Sequence, residues 1–468
     1  MPLIFPSNTL SAGGFSVDNS CRFDDGATAS LTRTTETPTD PDIYTFSVWV
    51  KRGNLGLANA KIFSVKTGSY GEEKLEFNAD TLLWRKTDAD AGDTDYERQT
   101  DAKFRDPGAW MHILIAYDSS DGTPGDRMKV YINGVQETSF SGSVDPDSSE
   151  TSWLNTASLT LYIGAAASVT QYFDGYMAEL AFVDGVAHAV TDFGEFDSDS
   201  PTIWKPKDIS SGITWGNNGF YLDFEDSSAL GNDVSGNDND FTVSNLDATD
   251  QCTDSPTNNF ATFNPLFPIS GDTLSEGNVK VQTSDSNYSP SSSSIGVASG
   301  KWYAEVKYTA QSSASALIVG VTSNPSEDAR NDDYIGEQSY SYGYNSANGE
   351  SYTGGSGTSY GDSFAVDDII GITLNLDDNE LIFYKNGAVQ NSGTALSITA
   401  AASTTSGFYY FAIADTTTNY NITAEINFGN PSFTGTDQDD DNGYGSFEYD
   451  PPSGFLALCT KNLGSDGG

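Results

Sequence analysis

The residues able to do chemistry are few, and their spacing restricts what they can do. His112 and His188 are the only histidines in the chain. His112 lies inside an alternating apolar and polar run, and His188 lies in a loop after Gly185. Neither stands near a nucleophile in a motif, so a Ser-His or Cys-His mechanism has no support. Cys21, Cys252 and Cys459 are odd in number and far apart, which fits neither a zinc spacing nor a disulfide framework. No Gly-rich stretch has the form of a phosphate cradle. Glycoside hydrolysis needs two carboxylates facing one another across the sugar. The nearest run, Glu195-Phe196-Asp197-Ser198-Asp199, lies in a Gly/Ser/Pro-rich exit loop before Pro201 and lacks a second Glu. The expectation is a protein that is not an enzyme, with no catalytic residue.

Two acidic clusters have oxygen donors that suit calcium. Asp233, Asn237, Asp238 and Asp240 are the first, but no terminal Glu gives them an EF-hand spacing, and they read as Asx/Gly turns. Asp437, Asp439, Asp441 and Glu448 are the second, with Gly443 one place later than an EF-hand turn requires. The expectation is no cofactor and no metal site. Calcium is the one candidate ion, and a chelator should change the melting temperature little. Aromatic rings are the usual groups that stack on sugars. Tyr352 and Tyr360 flank the Gly354–Gly357 turn, and Trp84 and Trp153 lie at loop edges of the first half. These four are the predicted ligand-binding residues, because binding groups concentrate on loops. Tyr340, Tyr342 and Tyr344 alternate along one strand and are predicted to belong to the core.

Two stretches organise the elements around these groups. In Phe364–Gly387, residues Ile370, Ile372, Leu374 and Leu376 share one face, and Gly371, Thr373 and Asn375 the other. That pattern predicts a half-buried β-strand. Asp377-Asp378-Asn379 supplies a turn, a second strand returns, and Asn386-Gly387 marks a further hairpin. Trp110–Gly134 repeats the plan. Met111, Ile113, Ile115 and Tyr117 alternate with His112, Leu114 and Ala116, and after an Asp-Gly-Pro turn Met128, Val130 and Ile132 run to Asn133-Gly134. Short alternating runs recur about every ten residues and no sustained helical period appears. The fold class is therefore all-β, with two antiparallel sandwiches of jelly-roll type.

The chain of 468 residues has room for more than one domain. Residues 1–205 and 266–468 are read as two sandwich units, and 206–265 as a Gly/Asn/Asp-rich connector with one good strand at Phe220–Phe224. Each unit is expected to fold alone unless that strand completes one of the sheets. The net charge of −44 leaves no basic stripe for nucleic acid, which such a chain would repel. The acidity suits solubility and a salty medium, where screening shortens to about 3 Å at ~1 M. No run approaches transmembrane length, and the N-terminal stretch has no basic segment and long apolar core, so neither membrane insertion nor a secretory signal is expected.

The motifs also carry a resemblance. YTFSVWVKR, FRDPGAWMHI, DRMKVYINGVQ, LYIGAA and YFDGYMAELAFVDGVA follow the order and spacing of laminin-G-like, concanavalin A-type domains over residues 20–190. RFDDG near the start and SDSPTIWKPK at the end make this version most similar to proteins of marine tailed phages. SGKWYAEV, ALIVGV, the YSYGYNSANG run, GDSFAVDDIIGITLNLDDNELIFYKNG, GFYYFAIA and INFG resemble a SPRY domain over the whole second unit. YDPPSGFLALCTKNL is similar to the tail that follows SPRY domains in such phage proteins. The resemblance implies a virion surface protein, a fibre or appendage, that binds host-surface glycan or protein. It would be made in the host cytoplasm and assembled with other capsid or tail proteins as a homo-oligomer. A structural capsid or tail decoration protein is the first alternative, and a jelly-roll glycoside hydrolase the second. No coiled-coil stalk is evident, which suggests a compact element docked on another protein through the N-terminal MPLIFPSNTL.

Overall fold

The computed structural model describes residues 14–88, 90, 92–168, 170–266, 271–288, 290–313, 316–417, 419–433 and 435–465. The N-terminal MPLIFPSNTL, read as a docking segment, lies outside the described residues. The described chain is built almost entirely of antiparallel strands in two compact units, one running up to Thr257 and the other from Asn258 onward.

In the N-terminal unit, one sheet runs in the order Val135–Gln136, Met128–Ile132, Met111–Asp118, Ile43–Arg52, Gly175–Asp184, Ser20–Phe23, Gln251–Cys252, and Phe220–Leu222 also pairs with Gly175–Asp184. The other runs Phe140–Val144, Thr94–Thr100, Thr81–Thr87, Gly71–Asn78, Ala58–Thr67, Thr160–Ile163, Ser30–Thr34, Thr242–Ser244. Period-2 alternation turns Tyr44, Phe46, Val48 and Val50 toward the space between the sheets, where they meet Val65, Phe77, Trp84 and Ile113. The opposite face of the first sheet is buried as well. Trp49, Leu114, Ala178 and Ala181 are covered by Trp204, Ile209, Trp215 and Tyr221.

This layer corrects the domain reading. The stretch 206–265 is not a connector: three of its strands complete the sheets of the N-terminal unit, at Phe220–Leu222, Thr242–Ser244 and Gln251–Cys252. The unit therefore does not end at residue 205. The apolar residues that do the covering are scattered one at a time among Gly, Asn and Asp, so the segment looks like a linker in composition.

The C-terminal unit is a second sandwich. One sheet runs Thr273–Ser275, Lys280–Gln282, Ile422–Asn427, Lys301–Gln311, Ile369–Asn375, Glu380–Lys385, Ala388–Val389, with Leu396–Ser397 paired to Glu380–Lys385. The other runs Ser291–Ser292, Tyr410–Asp415, Leu317–Thr322, Ser341–Asn345, Glu350–Thr353, Ser356–Ser359. The Phe364–Gly387 hairpin forms in the predicted register, with Leu374 opposite Leu381 and Ile372 opposite Phe383. Asn386 and Gly387 both adopt positive φ, as the two-residue turn into Ala388–Val389 demands, and Asn133-Gly134 does the same in the N-terminal unit. The Ile369–Asn375 strand is buried on both faces rather than half-buried. Ile370, Ile372 and Leu374 enter the core, while Thr373 and Asn375 are buried on the other side. There Tyr303 lies over Gly371, Phe447 packs on Tyr303 at 5.0 Å, and Leu456–Ala457 joins Lys301–Gln311 in parallel.

Candidate ligand-binding surfaces

The four predicted ligand-binding aromatics separate into two core residues and two half-buried ones. Trp84 is fully buried between the sheets of the N-terminal unit, edge-on to Tyr44, Tyr96 and Tyr117. It shares the inward face of Thr81–Thr87 with Leu82, so it is not a surface residue. Tyr360 is likewise a core residue, 5% exposed. Its hydroxyl accepts from Phe383 N–H at 3.2 Å, and its ring stands edge-on to Tyr344 and Phe383. The chain turns inward after Ser356–Ser359, which proximity to a Gly-rich turn does not reveal. Trp153 is half-buried, with Lys86 Nζ 4.9 Å above its ring and its backbone N–H donating to Glu73. Tyr342 and Tyr344 are core residues as predicted, whereas Tyr340 precedes the Ser341–Asn345 strand and is only half-buried.

Tyr352 alone of the four joins a larger aromatic surface. It projects from Glu350–Thr353 on the outer face of the second sheet of the C-terminal unit, packed against a small buried cluster of Ile318, Ile335, Ala412 and Ala414. Tyr334 stands edge-on to it at 6.1 Å, and Tyr288 stands edge-on to Tyr334 at 5.5 Å. All three side chains are half-buried. Tyr352 Oη is held by Glu350, at 3.0 Å, and by Asn348 Nδ2, at 3.1 Å. Burial and the nearby Glu337 push the Tyr334 phenol upward, so the ring stays neutral and can donate a hydrogen bond. Tyr288 and Tyr334 lie 46 residues apart in the chain, so no local motif could join them.

The N-terminal unit has a cavity of about 300 Å³ lined by Val50, Arg52, Lys103, Phe104, Arg105 and Trp110, among others. Arg52 is braced by the Ala79 and Phe104 carbonyls, and Asp80 pairs with both Arg52 and Arg105. Its rim mixes Lys103 and Arg105 with Asp106, beside an apolar wall.

The predicted absence of catalytic chemistry can be compared with where its candidates fall. His112 is sandwiched between Trp49 and Trp204. The Trp204 indole N–H donates to His112 Nδ1 at 3.0 Å, so Nε2 carries the proton and donates to Ser47 Oγ at 2.8 Å. Burial pushes its pKa down to about 3, which keeps it neutral and structural. His188 Nδ1 lies 2.9 Å from Asp192 on the surface. In the 195–199 run, Glu195 is exposed, whereas Asp197 is buried and braces the loop by accepting from Asp199 N, Ser200 N and Lys205. The three cysteines are buried and form no disulfide. In the acidic turns, Asp233 accepts from Tyr221 N, Ser235 N and Asn239 N, Asp240 from Asp233 N, Asp441 from Ser453 Oγ and Gly454 N, and Glu448 from Thr436 N. Their oxygens serve the turns of the protein itself. Among the described residues no helix is long and apolar enough to cross a membrane.

Comparisons with known proteins agree with this architecture. Residues 24–189 match the profile of the concanavalin A-like lectin/glucanases superfamily, and residues 301–431 match that of the SPRY domain. Among solved structures, the SPRY domain of human HERC1 is similar at 19% identity, over 35% of this chain and 96% of that one, with a TM-score of 0.28. Stonustoxin is similar at 18% identity, over 36% of this chain and 27% of that one, with a TM-score of 0.27. A candidate carbohydrate binding protein from Bacteroides ovatus is similar at 14% identity, over 50% of this chain and 61% of that one, with a TM-score of 0.33. No curated protein matches the sequence. Domains of these two kinds suggest binding rather than catalysis, and the chain carries a concanavalin A-like, laminin-G-like domain followed by a SPRY domain.

Proposed function

We propose that this chain is a non-enzymatic virion surface protein of a tailed phage, a fibre or appendage that attaches to host-surface glycan or protein. The observation that carries the binding reading is the row of half-buried rings Tyr288, Tyr334 and Tyr352 on the outer face of the C-terminal sandwich. Tyrosine supplies large, rigid contact area with a polar tip and little entropy to lose on binding, which is why such rings serve recognition. The virion setting is supported by the resemblance of the motifs to marine tailed-phage proteins and by a strongly acidic surface suited to salt water.

Particles carrying Tyr334→Ala and Tyr352→Ala together test the reading. The variant chain should fold, because both rings lie outside the main core, and the particles should assemble normally yet adsorb to host cells at least tenfold more slowly. Adsorption at the wild-type rate with the fold intact would remove this face as the contact. If particles lacking the whole C-terminal unit adsorb normally but fall apart sooner, the protein is a structural decoration.

A further inference from the structure

Each tyrosine of the outer-face row has its own carboxylate. Asp332 Oδ1 accepts from Tyr288 N–H at 2.8 Å, Glu337 Oε2 from Tyr334 N–H at 3.4 Å, and Glu350 Oε2 from Tyr352 Oη at 3.0 Å. Asp332, Glu337 and Glu350 are half-buried, as the tyrosines are. No lysine or arginine among the described residues forms an ion pair with any of these three carboxylates. The C-terminal unit does pair others, as in Lys280–Glu425 at 3.7 Å and Lys385–Asp368 at 3.2 Å. Arg330 is the one basic residue between Asn324 and Tyr352, and it pairs with Glu327 at 3.6 Å. Negative charge therefore collects beside the rings without a counter-charge from the chain. Burial raises the Glu337 carboxyl most, Asp333 and Asp332 raise it further, and the Tyr334 N–H lowers it.

The rings do not form a flat plate. Tyr288 and Tyr334 are inclined at 67°, and Tyr334 and Tyr352 at 84°, so successive rings stand as near-perpendicular walls. A sugar ring stacks on one plane, whereas a cation is held by ring faces that meet at an angle, as in the aromatic cages that take ammonium groups. An anionic glycan would meet three carboxylates of its own sign. We propose that this face binds a protein partner through an arginine or lysine side chain, its cation set against the tyrosine rings and neutralised by the carboxylates beside them. The inference rests on the reading of this face as the contact, and it selects protein over glycan as what is contacted. Arginine suits the site better than lysine, because a planar guanidinium stacks on a ring while its edge forks to a carboxylate.

The probe is a fluorescein-labelled octapeptide of alternating arginine and glycine. It is titrated against the full chain in about 0.15 M sodium chloride, where long-range attraction to the acidic surface is largely screened. Saturable binding is expected, read by anisotropy. Tyr334→Ala should weaken it roughly tenfold, while Tyr334→Phe, which keeps the ring face, should stay within about twofold of the wild type. Glu337→Gln combined with Glu350→Gln keeps both hydrogen-bond acceptors and removes both charges, and should also weaken binding roughly tenfold. That pair decides if Tyr334→Ala does not fold. Asp238→Asn, on the N-terminal unit, should leave binding unchanged. Three outcomes would overturn the proposal: no saturable binding, wild-type affinity in the glutamine pair, or an equal loss in Asp238→Asn, the mark of diffuse charge attraction. Absent peptide binding with slow adsorption of the double tyrosine variant would leave this face as the contact and make its partner a glycan. Saturable peptide binding with adsorption unchanged would keep the cation site and remove host attachment as its use.

Discussion

Glu179 sits at φ +49° where the register of the Gly175–Asp184 strand shifts between Ala178 and Ala181, and it accepts from Tyr221 Oη at 2.6 Å. Burial raises its pKa to about 8. A carboxyl whose folded pKa is raised contributes fully below its unfolded pKa, and that contribution is lost as pH rises toward the folded value. The N-terminal unit should therefore lose stability between about pH 4.5 and 8, by something on the order of 4 kcal/mol from this group alone. Glu179→Gln keeps an acceptor for Tyr221 and cannot ionise, so urea melts at pH 5 and pH 8.5 should differ much less than in the wild type. The two tryptophans once paired as ligand candidates separate on the same scale. Trp84→Ala should cost about 3–5 kcal/mol by emptying the core, whereas Trp153→Ala, half-buried, should cost roughly 1 kcal/mol. Equal losses in a denaturant titration would contradict the assigned positions. Leu374→Asp would place an unpaired charge in the C-terminal core and should abolish folding of that unit.

Among the elements, the C-terminal tail depends on one buried acid. Glu305 projects from the outer face of Lys301–Gln311 and accepts from Tyr303 Oη, Asn427 Nδ2, Glu448 N and Tyr449 N at 2.9–3.2 Å. Two of those donors belong to the tail, so the carboxylate pins residues 448–449 onto the sheet while Leu456–Ala457 adds its short strand. Glu305→Ala would leave four donors, two of them buried, without that acceptor and should cost about 3 kcal/mol. Hydrogen exchange should show the loss first, at the amides of Glu448 and Tyr449. Unchanged protection there would mean that strand pairing alone holds the tail.

At the level of the whole molecule, the dividing line predicts which pieces fold. A fragment ending at residue 257 retains Phe220–Leu222, Thr242–Ser244 and Gln251–Cys252, along with the apolar cover over Trp49 and Leu114. It should melt cooperatively, as should 258–468, whereas a fragment ending at residue 205 should aggregate or be digested. A protease-resistant 1–205 piece would show that the third layer is dispensable. Charge is also settled at this scale. The chain has 22 basic residues against 66 acidic ones, and Arg22, Lys51, Arg52, Lys61, Lys74, Lys86 and Arg98 are buried. Acidic residues such as Glu73, Glu76, Asp174, Glu179 and Glu305 are buried too, and the remaining acidic excess leaves the surface strongly negative. Raising sodium chloride from low to seawater concentration should raise the melting temperature by screening that repulsion.

The sequence by itself determined the strands, the hairpins and the class of the fold, because these depend on neighbours within a few residues. The side-chain pleat repeats every two residues, so Ile370, Ile372 and Leu374 must share a face wherever the strand lies, and Asn386-Gly387 must turn. The domain resemblances were legible for the same reason, since order and spacing of such local motifs carry them. Tertiary structure decided what covers each face. Thr373 and Asn375 look like an exposed face until Tyr303 and the tail close over it, and residues 206–257 look like a linker until Trp215 and Tyr221 are found on a sheet. Exposure of an aromatic ring is likewise non-local. Tyr352 and Tyr360 flank one turn, yet one lies on a surface beside Tyr334 and the other points into the core.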